Sequence, residues 1–252
     1  MIGRDGGFAT ISRDCPNSLK KLNLEKLNPE KMSPSQPIPD DHPLAGLDAT
    51  IDELRKCGRL FHSRGWSVGT SSNYSVVLNK EPVELVVTAS GADKGRLSQQ
   101  DFVRIAGNGQ PVVSGQPKSS AETMLHVVLA PLADVGSILH THSVWGTLLS
   151  DHYFDAGGFS ISGYEMLKGL QGNTTHETSV WVPIFDNTQD IPALAELVRQ
   201  ELDRPDSKMS HGFLIRNHGL YTWGKDVFAA RRHIEVFEFL FEVLGRKTSF
   251  SA

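Results

Sequence analysis

Apolar residues in this chain follow two different periods. From Leu44 they recur at three- and four-residue steps: Leu44, Leu47, Ile51, Leu54, Cys57, Leu60 and Phe61. That is one face of an amphipathic helix, and Gly65 is placed to cap its C-terminal end. Two Val-rich runs follow, YSVVLN and ELVVTAS, separated by polar turn residues and read as strands. FVRIAGNGQPV reads as another strand with an Asn-Gly turn. Helical spacing returns in SAETMLHVVLAPLAD, in IPALAELVRQELDR and in the long DVFAARRHIEVFEFLFEVLGR. VGSILHTH is strand-like and precedes a helix, and GFLIRNHGLYTWG reads as two short strands meeting at Asn217-His218-Gly219. Helices bracketing strands joined by hairpin-type connections predict an α/β fold with a mainly antiparallel sheet.

Residues 1–42 break this pattern. NPEKMSPSQPIPDDHP is rich in Pro, Ser and charge, with few large apolar residues. It cannot bury enough surface to offset its ordering entropy. We therefore expect a flexible extension over 1–42 and a folded domain over 43–252. The 252 residues, 39% hydrophobic and 21% charged, suit one such domain. Lys and Arg total 25 against 29 Asp and Glu, a net charge of -4 that gives no electrostatic case for nucleic acid or an anionic membrane. No apolar stretch reaches the roughly 18 residues of a membrane span. MIGRDGGFATISRD lacks the apolar core of a secretory signal, and Cys15 and Cys57 make no disulfide framework. The expectation is a soluble, cytoplasmic protein.

Candidate chemistry centres on SILHTHSVWG. His140 and His142 sit at i and i+2 of a strand-like segment, so their side chains point to one face. Two imidazoles there can reach one zinc ion, and a catalytic zinc usually takes three protein ligands. The structural alternative is two polar residues at a strand end, each bonded to backbone. His218, at the turn in RNHGLYTWG, supplies a third imidazole. Six other histidines (His42, His62, His152, His176, His211 and His233) read as surface or edge residues. His126 shares a helical face with Glu122, and either could lie near a metal. GTSSNYS, TASGADKG and PKSSAE are small, hydroxyl-rich turns of the kind that offers N–H and O–H groups to a phosphate. Each is weak alone, because such residues also form ordinary turns. An exposed glutamate such as Glu165, in SGYEMLKG, is usually only solvated.

The order GTSSNYS, TASG, KSSAE, HTH, EMLKG, RNHGLYTWG resembles the class II aldolase family, from about residue 46 to 246. The resemblance implies a three-layer α/β/α domain with zinc on His140, His142 and His218. It implies phosphate contacts from Asn73, Ser90, Gly91 and Ser120, and a homotetramer with sites near subunit interfaces. The family contains zinc-dependent sugar-phosphate aldolases and epimerases, and EMLKG is similar to its dehydratase branch. In that branch the acid/base is the glutamate of this stretch, here Glu165. In the aldolases a glutamate after the Ser-containing loop is catalytic, the place Glu122 holds. The implied activity is that of a hydro-lyase acting on a small phosphorylated ketose through Glu165. An aldolase or epimerase using Glu122 is the alternative. A structural zinc site fits less well, since such sites usually have four ligands, often cysteines, and neither cysteine is near these histidines. The family's first loop often has Gly where this chain has Ser72.

Overall fold

The computed structural model describes residues 37–250. Residues 1–36 of the expected extension lie outside the described residues. Packing starts at Ile38, which is buried and whose N–H donates to Asp48 Oδ1 at 3.0 Å. Residues 37–42 therefore lead into the domain.

Helix α1 spans Asp48–Ser63 and buries Ile51, Leu54, Cys57 and Phe61, the face expected from the spacing. Gly65 ends it with a left-handed φ of 76°, and its N–H bonds to His62 O at 3.0 Å. Strands β1 (Asn73–Lys80), β2 (Val83–Thr88) and β3 (Phe102–Ala106) form an antiparallel meander. Helix α2 (Thr123–Leu129), strand β4 (Ser137–Thr141) and helix α3 (Val144–His152) follow. Helix α2 is shorter than the SAETMLHVVLAPLAD pattern. Its first residues form a turn instead, with Thr123 Oγ1 donating to Ser120 O at 2.6 Å, and Pro131 stands just past its end.

Strands β5 (Gly158–Ile161) and β6 (Val180–Phe185) come next, then helix α4 (Ile191–Asp203), strands β7 (Gly212–Ile215) and β8 (Gly219–Gly224), and helix α5 (Val227–Phe250). The sequence pattern does not announce β6, because Pro183 interrupts VWVPIF and Pro is rare within strands. The eight strands form one sheet in the order β3-β2-β1-β4-β8-β7-β6-β5. All pairings are antiparallel except β6 with β7.

Side-chain alternation along the strands builds two cores. Leu85, Val87, Ile138, Phe213, Ile215 and Tyr221 face α2 and α4. Val86, Leu139, Leu214 and Leu220 face α1, α3 and α5. The result is the three-layer α/β/α domain with a mainly antiparallel sheet. It also decides which helices each residue of β4 meets.

His233 corrects one expectation: it is buried. Its Nδ1–H donates to Trp223 O at 2.7 Å and its Nε2 accepts from Gln171 N–H at 3.0 Å. The bond accepted at Nε2 requires the neutral ring, and burial pushes its pKa down from 6.5 to about 4. The unfolded chain then takes up the proton first as pH falls, so this contribution is complete above pH 6.5 and is lost toward pH 4. Denaturant unfolding of His233→Phe at several pH values should show lower stability at pH 7.5 and a shallower acid loss than the native chain. An unchanged acid slope would assign the titration to other groups.

Candidate metal centre

Strand β4 brings the first candidate ligand, His140. Its period of two places Ile138 and His140 on the α2/α4 face. His142 follows the strand's last residue, and its backbone N–H is held by Trp66 O at 2.7 Å. The third histidine comes from the β7–β8 turn. Asn217 there has φ 52°, a left-handed conformation that Asn tolerates. Its N–H donates to Ser150 Oγ at 3.0 Å and its Nδ2 to Asp151 Oδ1 at 3.1 Å, so the end of α3 sets the turn. At Gly219 an added Cβ would lie 2.0 Å from Thr141 O. Only glycine lets β8 close on β4 at this point, and that approach delivers His218 to the pair.

The three Nε2 atoms converge. His142 Nε2 is 2.7 Å from His140 Nε2 and 3.1 Å from His218 Nε2. Tetrahedral ligands at zinc–nitrogen distances would stand roughly 3.3 Å apart. His140 Nδ1 donates to Leu220 O at 2.9 Å, which fixes the tautomer and leaves the Nε2 lone pair facing the cluster. Burial, reinforced by the other imidazoles and opposed by Glu122, holds the His140 pKa well below 6.5. Burial and then His218 push that of His142 down to about 4. Neutral imidazole is the form that binds a metal. Among the described residues, these three form the group of side chains whose ligand atoms fit one ion.

Glu122 stands at the same point, at the N-terminal end of α2. Its Oε1 is 3.0 Å from His218 Nε2 and its Oε2 is 3.4 Å from His140 Nε2. Oε2 also accepts from Asn73 Nδ2 at 2.7 Å and from the Tyr221 hydroxyl at 2.8 Å. Burial works against its charge, but hydrogen bonds from His218 and the Tyr221 hydroxyl outweigh that and hold the carboxyl far below the usual range. Behind it lies His126, buried and hydrogen-bonded to Ser75 Oγ at 2.7 Å and to Asn73 Oδ1. With Asn73 Oδ1 as acceptor, His126 Nε2 carries the proton and the Asn73 amide must donate toward Glu122 and Ser120 Oγ. The side chain expected to touch phosphate is thus engaged in orienting the carboxylate.

All four expected phosphate contacts, Asn73, Ser90, Gly91 and Ser120, line one cavity of about 190 Å³, together with Thr70, Ser71, Glu122 and His142. Ser72 has φ 72°, which explains why glycine suits that place. Among the described residues, Ser71 Oγ is buried without a hydrogen-bond partner. Lys94, which the motif reading passed over, is 1% exposed and lines the same cavity. Its ammonium donates to Ala92 O at 2.7 Å and Thr70 O at 3.3 Å. Burial pushes its pKa down to about 8 against the pull of Asp101, Asp93 and Glu122. A lone lysine in a Gly-containing turn reads as solvated, and only the fold buries it. The signal was its place inside TASGADKG.

Glu165 is not brought to the histidines within the single chain. It begins a short 3₁₀ helix, Glu165–Gly169, and its side chain is 70% exposed. Lys168 Nζ is 2.6 Å from Oε2 and His176 Nδ1 is 3.2 Å from Oε1. Lys168 holds the carboxyl below its usual range, opposite to the raised value an acid catalyst in an apolar pocket needs. The turn itself is firmly seated by buried Leu167 and Leu170.

Residues 52–244 match the family described as Class II Aldolase and Adducin N-terminal domain. The chain belongs to the class II aldolase family. Among its relatives in this family, a Methylthioribulose-1-phosphate dehydratase of Marinobacter nauticus is 47% identical over 188 residues, 74% of this chain and 88% of that protein. One from Xanthomonas campestris pv. campestris is 47% identical over 201 residues, 79% of this chain and 87% of that protein. Solved class II structures share the fold. An L-fuculose 1-phosphate aldolase superposes with TM-score 0.65 at 20% identity, covering 81% of this chain and 88% of its own. The L-fuculose-1-phosphate aldolase of Thermus thermophilus gives 0.60 at 18% identity, covering 80% and 95%.

The purified class II chain should bind about one divalent ion per subunit, the stoichiometry of one three-ligand site. Elemental analysis of His140→Ala, His142→Ala and His218→Ala should find that ion lost in each. Full occupancy in His218→Ala would remove that residue from the ligand set.

Proposed function

We infer that the chain is a zinc-dependent hydro-lyase that converts 5-methylthioribulose 1-phosphate to 2,3-diketo-5-methylthiopentyl 1-phosphate, a step of methionine salvage. The observation that carries this reading is the set of dehydratases 43–47% identical over most of the chain, joined to a three-imidazole cluster beside a cavity rich in hydroxyls.

The reaction takes the proton from C3 and hydroxide from C4. They leave as water, and the resulting enol tautomerises to the diketone. A bound zinc supplies Lewis-acid polarisation of the substrate oxygens. The chain's own groups do the rest. The phosphate is assigned to the cavity lined by Ser90, Gly91, Ser120, Ser71 and Lys94. A buried ammonium bonded only to carbonyls favours an anion nearby.

Proton transfer has two claimants. Resemblance assigns it to Glu165. That assignment requires a neighbouring subunit, in keeping with a homotetramer whose sites lie near interfaces. Exposed Val144 and Leu148 on α3, just after His142, and Met166 beside Glu165 support such a contact. Glu122 is the second claimant and favours an aldolase reading, because it already stands among the histidines and the solved L-fuculose 1-phosphate aldolases share this fold. The described residues contain no helix long and apolar enough to cross a membrane, and a cytoplasmic setting belongs to the same reading.

Incubation with methylthioribulose 1-phosphate should yield a product lighter by one water. Dihydroxyacetone phosphate with a methylthio aldehyde would establish the aldolase instead. Glu165→Gln should keep its metal and lose at least about 10²-fold in rate, the scale of general acid–base catalysis. Full activity in Glu165→Gln with a dead Glu122→Gln would transfer the role. Lys94→Met should raise KM about 10-fold or more, as for a lost charged hydrogen bond, and an unchanged KM would take Lys94 out of phosphate binding.

A further inference from the structure

Behind the histidine strand lies a carboxylate that the reaction does not use. Glu238, in the FEFLF stretch of α5, is 3% exposed. Its Oε1 accepts from Thr141 Oγ1 at 3.0 Å, and among the described residues its Oε2 has no hydrogen-bond partner. Burial pushes its carboxyl up to about 7, against the hydroxyls of Ser143 and Thr141. A leucine would fill this apolar position without the desolvation cost of a half-satisfied carboxyl.

The location gives the group its meaning. Thr141 is the one residue between His140 and His142. Strand alternation turns His140 to the α2/α4 face and Thr141 to the α5 face, and His142, just past the strand, brings its Nε2 to 2.7 Å from that of His140. Ser143, on the other side of His142, also faces Glu238 and caps α3 by accepting from Gly146 N–H at 2.9 Å. His140 has a ring partner of its own in Leu220 O. Among the described residues outside the cluster, His142 is held through its backbone N–H, by Trp66 O. The aim of its imidazole therefore depends on the backbone from 141 to 143, and Glu238 meets the side chains at both ends of that segment.

We propose that Glu238 is a positioning residue for the metal centre, which through Thr141 holds the strand segment that aims His140 and His142 at one point. This rests on the metal reading of the histidines, and its test separates the two. Zinc affinity of the full-length protein is measured by competition with a chromogenic chelator, and the melting temperature of the metal-free protein is measured beside it.

Glu238→Leu and Thr141→Val should each weaken zinc binding about 10- to 100-fold, the usual effect of losing a group that orients a ligand. Glu238→Gln keeps an acceptor oxygen and should bind zinc close to native. A purely structural role would lower the melting temperature and leave the affinity of the folded protein alone. If Glu238→Leu does not fold, Thr141→Val carries the same comparison. Folded Glu238→Leu and Thr141→Val with native zinc affinity would overturn the proposal, as would Glu238→Gln binding as weakly as Glu238→Leu. A native chain that binds no zinc would overturn the metal reading instead.

Discussion

The pairing of β4 with β8 is the contact on which the rest of the site depends. It places Thr141 opposite Leu220 and seats Gly219 against the Thr141 carbonyl. A side chain at Gly219 would force the strands apart, and His218 would leave the cluster with them. The same pairing supplies Leu220 O to His140 and stacks Tyr221 on the His140 ring at 4.0 Å, with its hydroxyl on Glu122. One backbone approach thus selects a tautomer, orients a carboxylate and brings three imidazoles together.

Around that contact the polar groups are arranged as a chain of single choices. Ser75 and Asn73 face opposite nitrogens of His126. Given that acceptor, Asn73 can only donate to Glu122. Tyr221, whose own ionisation burial suppresses, donates as well. Glu122 is left charged and acceptor-only at the point where the imidazoles meet. Such a network is stable because every member is satisfied, and the loss of one member would leave the others buried without partners.

Much of this was legible along the chain. The two periods of apolar residues mark both cores, and the i, i+2 spacing of His140 and His142 states that they share a face. Residue order tied His218 to them through resemblance. Other features had no linear signal. Lys94 is buried by loops that meet only in the fold. The sequence does not show that the Asn73 amide, which lines the cavity, also gives its oxygen to His126 and its N–H to Glu122. Glu238 looked like any polar residue of an amphipathic helix. β6 was hidden by its proline. Glu165 marks a different boundary: the single chain leaves it in solvent, paired with Lys168, and the role proposed for it rests on what a second chain would place there.

Lys94 also ties two loops together. Its ammonium holds Thr70 O in the turn before β1 and Ala92 O in the turn after β2. Thr70, Ser72 and Gly91 in those turns all hold left-handed backbones that a free loop would visit only briefly. With the brace in place, the turns lose their freedom when the chain folds and not when a ligand arrives. A small anion then meets walls already in position, and little of its binding energy is diverted into ordering them. The cavity should accordingly behave as a rigid mould: quick to accept a group of the right size, and poor at adjusting to a larger one.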